Sequence, residues 1–270
     1  MEVSGSTAKK GCFVITNDHT PRAETESPVL IFEIAAVGWK AIPNTSLVSA
    51  RQEVQALYAE TLPSSILKQA DEQSLVALLA IHTAIQDSSK RTRDFEQWGL
   101  VASPRLPGRR RIADFLVKFR EQGAWSASPH VIPNCSLHSA SGLLSQALGL
   151  HGPNFGAGGM IGSEKEALWA GFSLLEGEQL PGVWILFTGW DRESLTGEGQ
   201  CQAAVLALRR CTHRTQRPSL ELSFKDEWNS QPFSLESLGE AIRSSSDCCW
   251  NIGAGFTYYR HRPDLLEVAA

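Results

Sequence analysis

No stretch of this chain approaches the roughly 18 uninterrupted apolar residues of a membrane-spanning helix, and residues 1–28 carry no apolar core of the signal-peptide kind. A cytoplasmic protein without a membrane span is therefore expected. Positive charge is also scarce: 25 Lys and Arg stand against 29 Asp and Glu, a net charge of -4, so the overall field gives no reason to expect nucleic acid. The six cysteines show no Cys-x-x-Cys spacing, Cys248 and Cys249 are adjacent, and no His-x-x-x-His occurs. These thiols read as reduced rather than as a disulfide framework, and neither a structural metal nor a cofactor is expected. The dinucleotide fingerprint Gly-x-Gly-x-x-Gly, the Walker Gly-Lys-Ser/Thr and the hydrolase elbow Gly-x-Ser-x-Gly are likewise missing.

What remains is a chain of 270 residues, long enough to bury a substantial core. Residues 1–28 are rich in Ser, Thr, Lys and Glu and read as a disordered arm. Val29 to Val37 is apolar almost throughout and ends at Gly38, as a strand buried on both faces should. Leu75, Leu78, Leu79 and Ile85 fall on one face of a helix from Asp71 to Asp87. Trp98 to Ala102 reads as a second buried strand. Ile112, Phe115, Leu116 and Phe119 follow i, i+3, i+4, i+7 spacing, which predicts a helix stopped by Gly123. Another helix fits Ser139 to Leu150. The capping-box pattern of Ser163 and Glu166 starts one that runs to about Glu176, and Val183 to Phe187 is a third buried strand. Ala203 to Leu208 and Leu220 to Phe224 read as a hairpin-like pair, Leu235 to Ile242 as a short helix, and Cys249 to Tyr259 as a strand. Alternating strands and helices predict an α/β fold, a layered mixed sheet with helices on its faces.

Several residues carry two readings. Gly156, Gly158, Gly159 and Gly162 either shape a pocket whose amides face an acyl carbonyl or phosphate, or simply permit a tight turn. Ser163 is a hydroxyl in that stretch, and its capping position explains it without catalysis. His138 and His151 are candidate bases or ordinary helix and loop residues. Arg105, Arg109, Arg110 and Arg111 form the densest positive cluster, either a docking patch for an acidic partner or a solvated loop. Trp125 is an interface anchor or a plug of its own core.

The run from Ile132 to Asn154, a Pro-led loop, a small-residue helix and Leu-Gly-Leu-His-Gly-Pro, resembles the β-ketoacyl synthases. Ala70 to Ala80 is similar to that family's first long helix, Trp98 to Ser103 to the following strand, and Phe187-Thr-Gly-Trp-Asp191 to a strand end further on. The resemblance covers residues 29–224 and implies the N-terminal half of a thiolase-like fold, with residues 225–270 as an extension packing on it. It also implies a cysteine at a helix N-terminus, where the dipole favours thiolate. Counted from Asn154 that place is Ile161, and a shift of one gives Met160 or Gly162. Cys135 and Cys201 lie on other elements. The family's second half supplies two histidines, and the chain is expected to lack it. The resemblance thus implies a non-catalytic subunit of the chain-length-factor type for fatty-acid or polyketide biosynthesis. Its implied partners are an active synthase, as a dimer, and an acyl carrier protein. Binding residues would be Gly158, Gly159, Met160, Ile161 and Ser163, carrier contacts Arg105 and Arg109 to Arg111, and interface residues Trp125, Phe155 and Ala157. An acyltransferase or hydrolase with a rebuilt site, or an acyl-chain or carrier-binding protein, are the alternatives.

Overall fold

The computed structural model describes residues 29–88, 90–126, 128, 131–177, 180–211, 218–223, 233–244, 249–253 and 256–260. The expected N-terminal arm and Phe224 lie outside them. Eight strands form one mixed sheet in the order β3-β2-β4-β5-β1-β6-β8-β7. They are β1 (Val29–Pro43), β2 (Gly99–Pro104), β3 (Asn154–Gly156), β4 (Val183–Trp190), β5 (Gln200–Arg210), β6 (Ser219–Ser223), β7 (Cys249–Gly253) and β8 (Phe256–Tyr259). β2 runs parallel to both β3 and β4, and the remaining pairings are antiparallel. Helices cover both faces, which makes the expected α/β layering.

β4 shows how the sequence builds the layers. Its residues alternate between two cores, Trp184 and Leu186 on one side and Val183, Ile185 and Phe187 on the other, as the period of two requires. The first core is closed by α1 (Leu47–Leu57), α3 (Glu72–Asp87) and α5 (His138–Leu148), with the short α2 (Ser64–Gln69) at its margin. The second is closed by α6 (Glu164–Gly177) and α7 (Leu235–Arg243). Asp71 caps α3 by accepting from the Ser74 amide at 2.9 Å. That helix is buried on more than the predicted face, since Val76, Ala77, Ala80 and Ile81 are buried beside Leu75, Leu78 and Leu79.

Three expectations are corrected. β1 does not end at Gly38 but continues to Pro43. The glycine is there because α3 crosses so closely that a Cβ would stand 2.2 Å from the Ala80 carbonyl oxygen. β5 and β6 are not a hairpin, because β1 lies between them and pairs with both. Cys249 to Tyr259 is two antiparallel strands, β7 and β8, and these extend the sheet at the end opposite β3. The expected helix, α4 (Arg109–Gln122), forms where the spacing predicts it, with Gly123 at its C-terminal end, and contains no buried residue. The row Ile112, Leu116 and Phe119 faces outward to solvent.

Candidate functional site

β2 and β4 end side by side, and the loop from Ala157 to Ser163 is laid across their C-terminal ends. Ala157 donates to the Ala102 carbonyl at 2.8 Å, Leu106 donates to the Gly159 carbonyl at 2.9 Å, and Arg105 donates to the Thr188 carbonyl at 2.7 Å. A buried side-chain relay supports this from below. Thr188 Oγ1 donates to Gln73 Oε1, and Gln73 Nε2 donates to the Arg105 carbonyl, both at 2.7 Å. Gly158 has φ +79°, and a Cβ there would come within 2.6 Å of Ser163 Oγ and 3.0 Å of Ser103 Oγ. Both its torsion and its surroundings therefore require glycine.

Ser163 closes the turn. Its hydroxyl donates to the Met160 carbonyl at 2.7 Å and accepts from the Met160 amide at 3.0 Å. The capping-box expectation is corrected in this respect, because the hydroxyl faces back into the loop and Glu166 donates instead to the Ser163 carbonyl at 3.0 Å. With both roles of the oxygen used locally, nothing activates it as a nucleophile. The turn leaves Met160 and Ile161 at its tip, Ile161 73% exposed.

Glu164, the first residue of α6, is fully buried and paired with Arg105, which also reaches Glu236 of α7 at 3.0 Å. Arg105 thus ties the end of β2 to the start of α6 and to α7. Beside it opens a cavity of about 320 Å³. Ile161, Leu106 and Trp190 supply its apolar wall, and Arg105, Arg109, Asp191, Arg192, Glu193 and Ser194 the polar one. Leu106 holds φ +49°, a strained conformation for a side chain of this size. Arg109 grips Glu193 at 2.7 Å, and that hydrogen bond holds the Glu193 carboxyl below its ordinary range. No cysteine or histidine is in the lining.

The structure brings together Gly158, Gly159, Met160, Ile161, Ser163, Arg105 and Arg109. It does not make an open arginine patch of the four-residue cluster. Arg110 donates to Asn44 Oδ1 and lies over the Trp190 ring, 5.5 Å from its centroid. Arg111 reaches the Lys68 carbonyl at 3.4 Å. His138 sits apart at the start of α5 with Nδ1 3.0 Å from Ser141 Oγ, and His151 is exposed in the loop before β3. Cys135 packs against Gly108, and burial pushes its thiol up. Cys201 is wholly buried in β5 and pushed well up by desolvation. Phe155 and Ala157 are half-buried, at and just beyond the edge strand β3, and Trp125 stands fully exposed past α4. The wall made by Trp190, Asp191 and Glu193 was not anticipated. No local pattern marks it, since Glu193 meets Arg109 across 84 residues of sequence.

No protein-family model matches the sequence, and a search of curated proteins returns no significant match. Solved structures do match. The ishigamide ketosynthase/chain length factor aligns at 16% identity over 72% of this chain, with a TM-score of 0.51, and the present chain spans only 65% of that one's length. A chain of the complex between the ketosynthase ApeO and its chain length factor ApeC from Xenorhabdus doucetiae aligns at 17% identity over 85% of this chain and 99% of its own, also at 0.51. Identities this low speak to architecture alone. The fold is similar to that of these ketosynthase and chain length factor structures.

Proposed function

We propose that this chain is a non-catalytic ketosynthase-like subunit that pairs with an active β-ketoacyl synthase in fatty-acid or polyketide-type biosynthesis. The observation that carries the reading is Ile161. It occupies the tip of the loop before α6, where the resemblance puts a nucleophilic cysteine, and the cavity beside it is lined by neither thiol nor imidazole. A branched aliphatic side chain cannot take up an acyl group, whereas it can line the end of an acyl tunnel. Pairing is supported by β3, the last strand at its edge of the sheet among the described residues. Open strand edges invite another chain, and the C-terminal strands β7 and β8 lie at the other end of the sheet. The second partner we assign is an acidic acyl carrier protein, which would reach Arg109, the exposed member of the arginine cluster, by displacing Glu193 from it.

The test is a condensation assay with acyl and malonyl thioesters. The chain alone, and its Ile161→Cys variant, form no carbon-carbon bond, because no imidazole lines the cavity beside position 161 to activate the extender. Co-expression with a complete synthase gives a heterodimer by size-exclusion chromatography with light scattering. Condensation product from the isolated chain above a no-protein blank refutes the reading.

A further inference from the structure

The loop between β4 and β5 supplies Asp191, Arg192, Glu193 and Ser194 to the cavity of about 320 Å³. Its parts are held very differently. At the base, the Gln200 amide donates to Asp191 Oδ1 at 2.7 Å, and on the return half Asn44 donates to the carbonyls of Gly197 at 2.7 Å and Gly199 at 3.1 Å. The outward half, residues 192–196, folds on itself. Glu193 Oε1 accepts from the Leu195 amide at 3.2 Å, and the Thr196 amide donates to the Glu193 carbonyl at 3.2 Å. Among the described residues, one ion pair alone ties that half to a residue outside the loop. It is the fork of Arg109, whose Nε donates to Glu193 Oε1 at 2.8 Å and Nη2 to Oε2 at 2.7 Å.

That fork joins two separate segments of the cavity lining, Leu106 and Arg109 from the connection between β2 and α4, and Arg192, Glu193 and Ser194 from the loop. Both segments carry backbone of the kind found at switches. Gly197 and Gly199, at φ +77° and +88°, follow the outward half as hinge positions, and Leu106 is the one non-glycine residue among those described with positive φ. The pair itself is 44 and 41% exposed, so salt screens it and a solvent anion can reach the guanidinium. One fork serves one carboxylate or phosphate at a time. Ser194, beside Glu193 in the lining, is only 4% exposed and is what an opened loop would uncover. We infer that the Arg109–Glu193 pair is a latch on this cavity, released when a phosphate or carboxylate takes the place of Glu193 on Arg109, so that docking of an anionic partner and opening of the cavity are one event. The inference rests on the carrier contact proposed above for the source of the anion, and on the loop's geometry for the latch.

The test uses the full chain with Ser194→Cys as a reporter, alkylated by iodoacetamide and followed by peptide mass spectrometry. Labelling is slow at low salt and accelerates about three- to fivefold when Glu193→Gln removes the latch, the range expected for an exposed pair. The exchange Arg109→Glu with Glu193→Arg restores the slow rate. Arg192→Gln, which breaks only a contact with Glu198 inside the same loop at 3.5 Å, leaves the rate unchanged. At equal ionic strength, inorganic phosphate accelerates labelling more than chloride does. An acyl carrier protein binds Glu193→Gln more tightly than wild type, because Arg109 no longer has to be released first. An unchanged rate in Glu193→Gln, equal acceleration in Arg192→Gln, or phosphate no better than chloride overturns the latch. If a carrier protein binds wild type and Glu193→Gln equally, the latch is overturned and the carrier contact stands. If none binds either form while phosphate accelerates labelling, the carrier contact fails and the latch stands. Should Ser194→Cys not fold by circular dichroism, hydrogen exchange of residues 192–196 in the wild-type chain decides, with protection lowered by phosphate supporting the latch and protection unchanged overturning it.

Discussion

The pairing of Arg105 with Glu164 is the most exacting test of how the site is held. The Glu164 side chain is 0% exposed and that of Arg105 12%, so both charges have left water. Glu164 Oε2 has no hydrogen-bond partner among the described residues. Removing the cation by Arg105→Met strands a buried carboxylate, which costs about 3–5 kcal/mol. Glu164→Gln removes the charge and keeps the shape; Arg105 retains Glu236, which is 46% exposed, so its cost is about 1–3 kcal/mol. Glu236→Gln breaks only a partly solvated contact and costs about 0.2–1 kcal/mol. The double variant Arg105→Met with Glu164→Leu buries no charge, so it is expected to recover much of the loss. Urea denaturation of wild type, single and double variants at neutral pH closes the cycle. Hydrogen exchange adds a local readout: the amides of residues 157–163 lose protection in Arg105→Met before the sheet does. Single-variant costs that are all below about 1 kcal/mol and simply additive would refute a buried, coupled pair.

Two further predictions concern titratable groups. Burial raises the Asp71 carboxyl above the ordinary carboxylate range, so between its unfolded and its raised folded value the native state binds the extra proton and stability falls as pH rises. Asp71→Asn keeps the α3 cap and flattens this slope, whereas Asp71→Ala loses about 1 kcal/mol; an unchanged slope in Asp71→Asn, followed by thermal melts across acid pH, contradicts the assignment. In the native protein, Cys201 and Cys135 are alkylated by iodoacetamide more slowly than in urea, by peptide mass spectrometry, because burial disfavours both thiolates. Rapid native labelling of Cys201 would show that β5 is not closed.

Much of the fold is legible because its elements announce themselves by period. β2, β4, α3, α5 and α6 each form within a few residues of where alternation, capping or helical spacing puts them. Pairing is less visible: β5 and β6 are neighbours in sequence, but β1, which comes first in the chain, separates them in the sheet, and nothing local records that choice. Gly38 misleads for a related reason. A glycine inside an apolar run reads as a stop, and only the approach of α3 reveals it as a contact. Half of the site is similarly visible, because the small residues from Gly156 to Gly162 cluster in sequence, while Trp190 and Glu193 join them only through the parallel arrangement of β2 and β4.

The arginine cluster and the α4 row show a deeper limit, since residue type and spacing carry no record of what surrounds a side chain in the fold. Four nearby arginines make positive density in one dimension. In three, Arg105 is neutralised by Glu164 and Glu236, Arg109 by Glu193, and Arg110 lies against Trp190, each partner arriving from a distant segment. Helical spacing, for its part, places the α4 helix and is silent about what lies beside it: the stripe on α3 faces its own sheet and becomes core, whereas α4 contributes no buried residue.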